Sequence, residues 1–299
     1  RLQVCKPTIF LGVPLVWEKI ADKVRAIGAA TTGAKKAIAT WAKGLGLERG
    51  RSHQLGGSGA SPFGYGLARK LVLSKVTANL GLECLKFGFT GAAPIREDTL
   101  EYFAQLGIEV NEVYGMSESS GSMTWSTCQA HLWGSCGHEL AGCETRVFKV
   151  QEADPNEKVA CPRAPDMSAG EEFQGEICAR SRGIMMGYLA NPDFGKDHVR
   201  ETERKTAETI DKDGWLHSGD KGLCTESGMV KITGRYKELI IGDGGENIAP
   251  VPIEDQVKKA CDGIGDVMMV GDRRKYNVAL VTLKAVGANG EAPGTDELD

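Results

Sequence analysis

The chain has 299 residues, 41% of them hydrophobic and 25% charged, a globular composition that argues against disorder. At this length one large domain or two smaller ones can bury a sizeable core. A net charge of −4 supplies no basic field for nucleic acid, and no apolar run reaches the ~18 residues of a membrane-spanning helix. Peripheral membrane association stays open.

The chain opens at Arg1, not Met, with a strand-like run over residues 8–13, and ends in a polar tail at Asp299. It reads as an internal piece of a longer protein. Residues 14–27 read as a helix with Pro14 in its first turn and Val16, Ile20, Val24 and Ile27 on one face. A second helix is expected over 34–47, then a Gly/Ser-rich connection over 50–66. That stretch lacks the GK[ST] ending of a phosphate loop. Residues 84–89 alternate as a strand, 91–94 form a tight turn, and 95–106 carry Ile95, Leu100, Phe103 and Leu106 as a helical face. A second strand over 108–113 completes a βαβ unit, hence a parallel sheet. Ligands of such sheets sit beyond the carboxyl ends of the strands. Residues 151–174 read as an exposed excursion and 196–213 as a solvated helix and loop. Short strands of more antiparallel character are expected at 145–150, 175–179, 229–233, 238–241, 267–270 and 277–283.

Nine scattered cysteines without a CxxC pair, and no visible secretory leader, point to reduced thiols in a cytoplasmic setting. Cys128, His131, Cys136 and His138 are four potential zinc ligands close together, but their spacing is not a common one, and packing or loop roles suit them better.

Three segments carry candidate chemistry. In YGMSESSG (114–121) an aromatic can stack on a base, hydroxyls and backbone N–H groups can bind phosphate, and a carboxylate can hold Mg2+. The same residues suit a Ser/Gly turn with a helix cap. In DGWLHSGD (213–220) an acidic residue in a Gly-bounded turn can accept ribose hydroxyls, or simply cap a turn. His217 lacks an identifiable orienting carboxylate other than Asp220, so a general-base role is not assigned. In GRYKELIIGDGGENIAP (234–250) Arg235 offers a guanidinium fork, and Gly242, Gly244 and Gly245 permit close approach to a ligand or a sharp hairpin. Lys237 and Glu238 also read as a surface charge pair.

Together and in this order, the three segments resemble the motifs of the adenylate-forming (AMP-binding) superfamily, and GAAP (91–94) resembles its adenine-contact loop. PTIFLGVPLVWEKI, GGEN and PVPIED are most similar to the bubblegum-type long-chain acyl-CoA synthetases. The resemblance runs from about Pro7 to Leu283. It implies an α/β fold: parallel and mixed sheets with flanking helices and a small β subdomain, then part of a small α+β domain. Residues 1–236 would belong to the large AMP-binding domain and 237–299 to the small one, with the hinge at Lys237.

The resemblance also implies roles. Tyr114 would stack on adenine, with Gly91, Ala92 and Ala93 along its edge and Gly115 beside it. Ser117 would contact the α-phosphate and Glu118 would ligate Mg2+. Asp220 would hold the ribose, and Arg235 ribose or phosphate oxygens. Gly244 and Gly245 would border the pantetheine of coenzyme A. The implied activity is that of a long-chain fatty acid–CoA ligase using a fatty acid, ATP and coenzyme A. The alternatives are a non-catalytic AMP- or acyl-binding product, or an adenylating enzyme with an aryl-acid or carrier-protein acceptor. The superfamily's Pro-Lys-Gly phosphate loop and late lysine have no counterpart here, so the chain alone is expected to be an incomplete enzyme.

Overall fold

The computed structural model describes residues 1–150, 158–241, 246–261, 263–272 and 274–285. A short helix α1 (Leu2–Cys5) precedes strand β1 (Ile9–Gly12) and helix α2 (Pro14–Ala29). Pro14 suits the first helical turn because its missing N–H has no intrahelical partner to lose. The buried face of α2 is Pro14, Trp17 and Ala21. Val16 and Ile27, expected on that face, are exposed. Trp17 sets the rotation: it is fully buried, donates its indole N–H to the Phe89 carbonyl at 3.0 Å, and packs edge-on against Phe103.

Helix α3 (Gly33–Ser52) outruns its expected end by five residues, so the Gly/Ser-rich connection starts later. Helix α4 (Tyr65–Ala68), a π turn (Arg69–Leu73) and helix α5 (Ser74–Leu80) follow without having been anticipated. Strand β2 (Phe87–Thr90), helix α6 (Glu97–Gln105) and strand β3 (Val110–Met116) form the expected βαβ unit, with β2 and β3 parallel. Ile95, Leu100, Phe103 and Leu106 are all buried. Strands β4 (Gly121–Trp125) and β5 (His138–Glu139) complete a five-stranded mixed sheet ordered β1-β2-β3-β4-β5.

A second sheet is antiparallel throughout: β6 (Cys143–Phe148), β7 (Gly175–Ser181), β8 (Leu216–Cys224) and β9 (Val230–Arg235). Tyr114 and Met123 from the first sheet share a core with Val147, Ile177 and Leu216 from the second. Strand β8 corrects the reading of 213–220 as a turn, because its last five residues lie within the strand. Residues 151–157 lie outside the described residues. The remainder of the expected excursion is largely exposed, as expected, with Ala164 as its one buried residue. It is anchored where Cys161 N–H bonds the Val147 carbonyl at 2.8 Å and where Ala164 is bridged to Thr225. Helix α7 (Lys196–Thr209) lies between β7 and β8 in sequence.

Beyond β9, a 3-10 turn (Tyr236–Glu238) takes the first residue of the strand expected at 238–241, and its second half forms β10 (Ile240–Ile241), paired with β11 (Asn247–Ile248). Helix α8 (Pro250–Ala260) and the antiparallel pair β12 (Ile264–Val270) and β13 (Val278–Leu283) follow. The α/β class, with a small antiparallel β subdomain, is the one expected. Among the described residues no helix is long and apolar enough to cross a membrane.

Candidate functional site

The site is built where β2 and β3 end, as parallel strands favour. At the β2 end, a Cβ on Gly91 would lie 2.7 Å from Val113 Cγ2, so only glycine lets the turn sit against β3. Ala92 takes a left-handed φ of 69°, which costs an L-residue about 1 kcal/mol. Ala92 and Ala93 are exposed. At the β3 end the strand passes Tyr114 and Gly115 into a 3-10 turn (Ser117–Ser119). The Ser119 hydroxyl accepts the Met116 N–H at 3.1 Å and donates to the Gly121 carbonyl at 2.6 Å. Ser117 is exposed. Glu118 is tied down twice: its carbonyl accepts the Met185 N–H at 2.8 Å, and its Oε1 accepts the Tyr188 hydroxyl at 2.9 Å. No cation pairs with Glu118 among the described residues.

Asp220 and Arg235 face each other across β8 and β9. The Tyr114 hydroxyl donates to Asp220 Oδ2 at 2.7 Å, and Arg235 Nε donates to Asp220 Oδ1 at 2.8 Å. Three residues from all three candidate segments thus meet on one carboxylate. Asp220 is 5% exposed and Tyr114 7%. Burial, and then the charge of Asp220, push the Tyr114 phenol far up, so it keeps its proton and donates. The hydrogen bond to Asp220 raises Arg235 further. Arg235 also reaches Glu238 at 3.6 Å, and this replaces the expected Lys237–Glu238 pair. Lys237 is exposed on the 3-10 turn. Gly242, Gly244 and Gly245 lie outside the described residues.

The orienting carboxylates of His217 are Glu176 and Asp211 rather than Asp220. Nδ1 lies 2.7 Å from Glu176 Oε2 and Nε2 lies 3.2 Å from Asp211 Oδ2. Asp211 lies just before the motif, whereas Glu176 comes from β7 and is not revealed by the sequence around His217. An alternating Glu-x-Cys in β7, opposite the start of β8, was the available signal. The four candidate zinc ligands do not assemble. Cys128 faces Asn111, His138 faces the Ser227 carbonyl, and His131 is buried against Trp133. Among the described residues the one cluster of metal-ligand type is Glu176, Cys178 and His217.

A fold with two such sheets, and a carboxylate shared between the end of a parallel strand and an antiparallel subdomain, is that of adenylate-forming proteins. The chain belongs to the AMP-binding enzyme family: residues 2–189 match the family's AMP-binding enzyme model, and residues 237–295 match its AMP-binding enzyme C-terminal domain. It is 46% identical over 296 residues to the long-chain-fatty-acid–CoA ligase ACSBG2 of Gallus gallus, covering 99% of this chain and 35% of that protein. It is 38% identical over 283 residues to ACSBG2 of Homo sapiens, covering 95% of this chain and 38% of that protein. The chain therefore spans little more than a third of the length of these relatives. Among solved structures, an ATP-bound RpMatB-BxBclM chimera superposes with a TM-score of 0.60 at 23% identity, over 96% of this chain and 43% of that one. The O-succinylbenzoate coenzyme A synthetase MenE of Bacillus subtilis, in complex with ATP and magnesium, gives 0.53 at 23% identity, over 70% and 39%. These two likenesses bear on the fold alone. The resemblance read from the motifs, to bubblegum-type synthetases, is borne out.

Proposed function

We propose that a protein containing this chain joins a long-chain fatty acid to coenzyme A. A fatty carboxylate attacks the α-phosphate of ATP, giving acyl-adenylate and pyrophosphate, and the coenzyme A thiol then displaces AMP. The observation that carries this reading is the meeting of Tyr114, Asp220 and Arg235, from segments up to 121 residues apart. The names of the relatives supply the acid and the acceptor.

In this reading Asp220 accepts the ribose hydroxyls. Each of its oxygens already takes one donor, and a carboxylate oxygen can accept a second. Arg235, with a side chain 58% exposed, is free to turn toward ribose or phosphate oxygens. Adenine lies on the part of Tyr114 left open, beside Gly115, with Gly91, Ala92 and Ala93 along its edge. The exposed Ser117 hydroxyl donates to the α-phosphate. Magnesium suits Glu118, a carboxylate held by a neutral hydroxyl with no competing cation among the described residues. Bound there, the ion neutralises phosphate charge. The protein's share is positioning and preorganised charge. Lys237 is the hinge between a large domain (1–236) and a small one (237–299).

Two measurements test this. Calorimetry with AMP on the chain itself reads the nucleotide site: Asp220→Ala and Tyr114→Ala should each weaken binding ~10-fold, the effect of stranding a buried polar partner. Grafting the chain in place of the matching segment of the Gallus gallus ligase reads the reaction. The folded graft should form palmitoyl-CoA from palmitate, ATP and coenzyme A. A folded graft without ligation, or unchanged AMP affinity in both variants, refutes the proposal.

A further inference from the structure

Strand β8 departs from regular pairing beside Asp220. Cys178 pairs with His217 and Glu176 pairs with Lys221. One residue of β7, Ile177, thus faces three of β8: Ser218, Gly219 and Asp220. Such a bulge strips the strand of ladder hydrogen bonds, and backbone donors without partners are costly when buried. Side chains supply them. Glu176 Oε1 accepts the Gly219 N–H at 2.9 Å, and Ser218 Oγ accepts the Asp220 N–H at 3.0 Å while donating to the Ile177 carbonyl at 2.6 Å. Gly219 has a left-handed φ of 72°.

The other oxygen of Glu176 faces His217 Nδ1, and Asp211 faces Nε2. Asp211 is itself held: its Oδ1 accepts the Asp213 and Trp215 N–H groups at 2.8 and 3.0 Å, and Lys158 pairs with it.

We propose that Glu176, His217 and Asp211 form a positioning unit for the Ser218-Gly219-Asp220 bulge, in which a doubly protonated His217 fixes the carboxylate that holds the backbone next to Asp220. The proposal rests on the reading of Asp220 as the ribose acceptor. With a carboxylate on each ring nitrogen, both nitrogens must carry hydrogen to be satisfied. A neutral ring would turn a lone pair toward one acid, and Glu176 would lose its hold on the imidazole or on Gly219. The hydrogen bond to Glu176 raises the His217 pKa above its ordinary value, against the pull of burial. The other titratable groups around the ring are Cys178 on β7, Lys158 and Asp213 beside Asp211, and Tyr236 on the 3-10 turn. Cys178 Sγ is 3.6 Å from Nδ1, and burial keeps its thiol protonated. Burial and the charge of Glu176 do the same for the Tyr236 phenol.

A zinc ion is the competing occupant, since Glu176, Cys178 and His217 place ligand atoms within 4.8 Å of one another. The 2.7 Å separation of Nδ1 and Oε2 is that of a hydrogen bond. Two such ligands on a tetrahedral zinc would stand about 3.3 Å apart.

The test is nuclear magnetic resonance on the nitrogen-15-labelled chain, with His217→Gln identifying the signal. His217 should carry both ring protons at neutral pH and titrate above the ordinary ~6.5. The Gly219 amide should shift with the same midpoint. In Glu176→Gln the midpoint should fall and the Gly219 amide should cease to follow it. AMP affinity should drop several-fold as His217 loses its proton, and stay flat with pH in His217→Gln. Coupled His217 and Gly219 signals without AMP binding at any pH would uphold the unit and refute the nucleotide reading. A neutral His217 at neutral pH, or a Gly219 amide indifferent to it, would overturn the unit. So would tight zinc binding that shifts the His217 and Cys178 signals. The wild-type titration alone decides if Glu176→Gln does not fold.

Discussion

His131 is 1% exposed, and neither ring nitrogen has a hydrogen-bond partner among the described residues. Burial pushes its pKa down to about 4, whereas the imidazole of an unfolded chain titrates near ~6.5. Between those values the unfolded chain binds more protons than the folded one, so acid destabilises the fold. The stabilising share is present above about pH 6.5 and is lost as the pH falls toward about 4. Glu109 and Glu112 act in the opposite sense. Burial raises both, so their share is full below the ordinary carboxylate range and is lost as the pH rises. Comparing the wild type with His131→Phe isolates the imidazole. Urea unfolding should show the wild type losing about 2–3 kcal/mol relative to the variant between about pH 7 and 4. Parallel stability curves would rule this out. Nothing in the sequence around His131 announces its solvation. A His near two cysteines suggests a metal ligand, and only its burial against Trp133 shows a stranded ring.

Among the elements, the β3–β4 pair depends most on one residue. A Cβ on Gly115 would sit 1.9 Å from the Gly121 carbonyl oxygen, and the register shifts there between Tyr114 and Gly115. The obstacle is backbone and cannot swing aside, so Gly115→Ala must push β4 away from β3. We expect a loss of more than about 2 kcal/mol, in the range of overpacked cores. Gly66→Ala in α4 is the control: its added Cβ meets nothing within 4 Å, and alanine should add up to about 1 kcal/mol. Equal unfolding midpoints for the two variants would refute the close approach. The elements that were legible had a clean period. Leu100 and Phe103 on α6, with Ile95 and Leu106 flanking it, are legible because all four are buried against one core. In helix α2, Ile20 and Val24 of the expected face pack against the core while Val16 and Ile27 are exposed, because apolar spacing cannot say that Trp17 claims the centre of the buried side. Strand β8 was missed because Gly214 and Gly219 read as turn residues, and a bulge stabilised by Glu176 is invisible in the local sequence.

At the scale of the molecule, the fold class and the three motif segments were readable, the latter through order and wording rather than spacing. Their convergence was not: Tyr114 and Asp220 are 106 residues apart, and nothing local pairs them. The same holds for the core shared between the sheets, where Tyr114 packs with Ile177 and Leu216. The sheet order has one further consequence. Strand β1 ends the five-stranded sheet and pairs on one side with β2, and Ile9 and Leu11 on it are 62% and 66% exposed. An apolar strand with an open edge is a template for a second chain. The isolated chain should therefore self-associate as its concentration rises, and Leu11→Lys should suppress this in light scattering without lowering the unfolding midpoint. A monodisperse wild type at high concentration would contradict it. Colloidal behaviour of the isolated chain is thus set at β1, and a charged residue there becomes the practical condition for weighing any ligand against this protein.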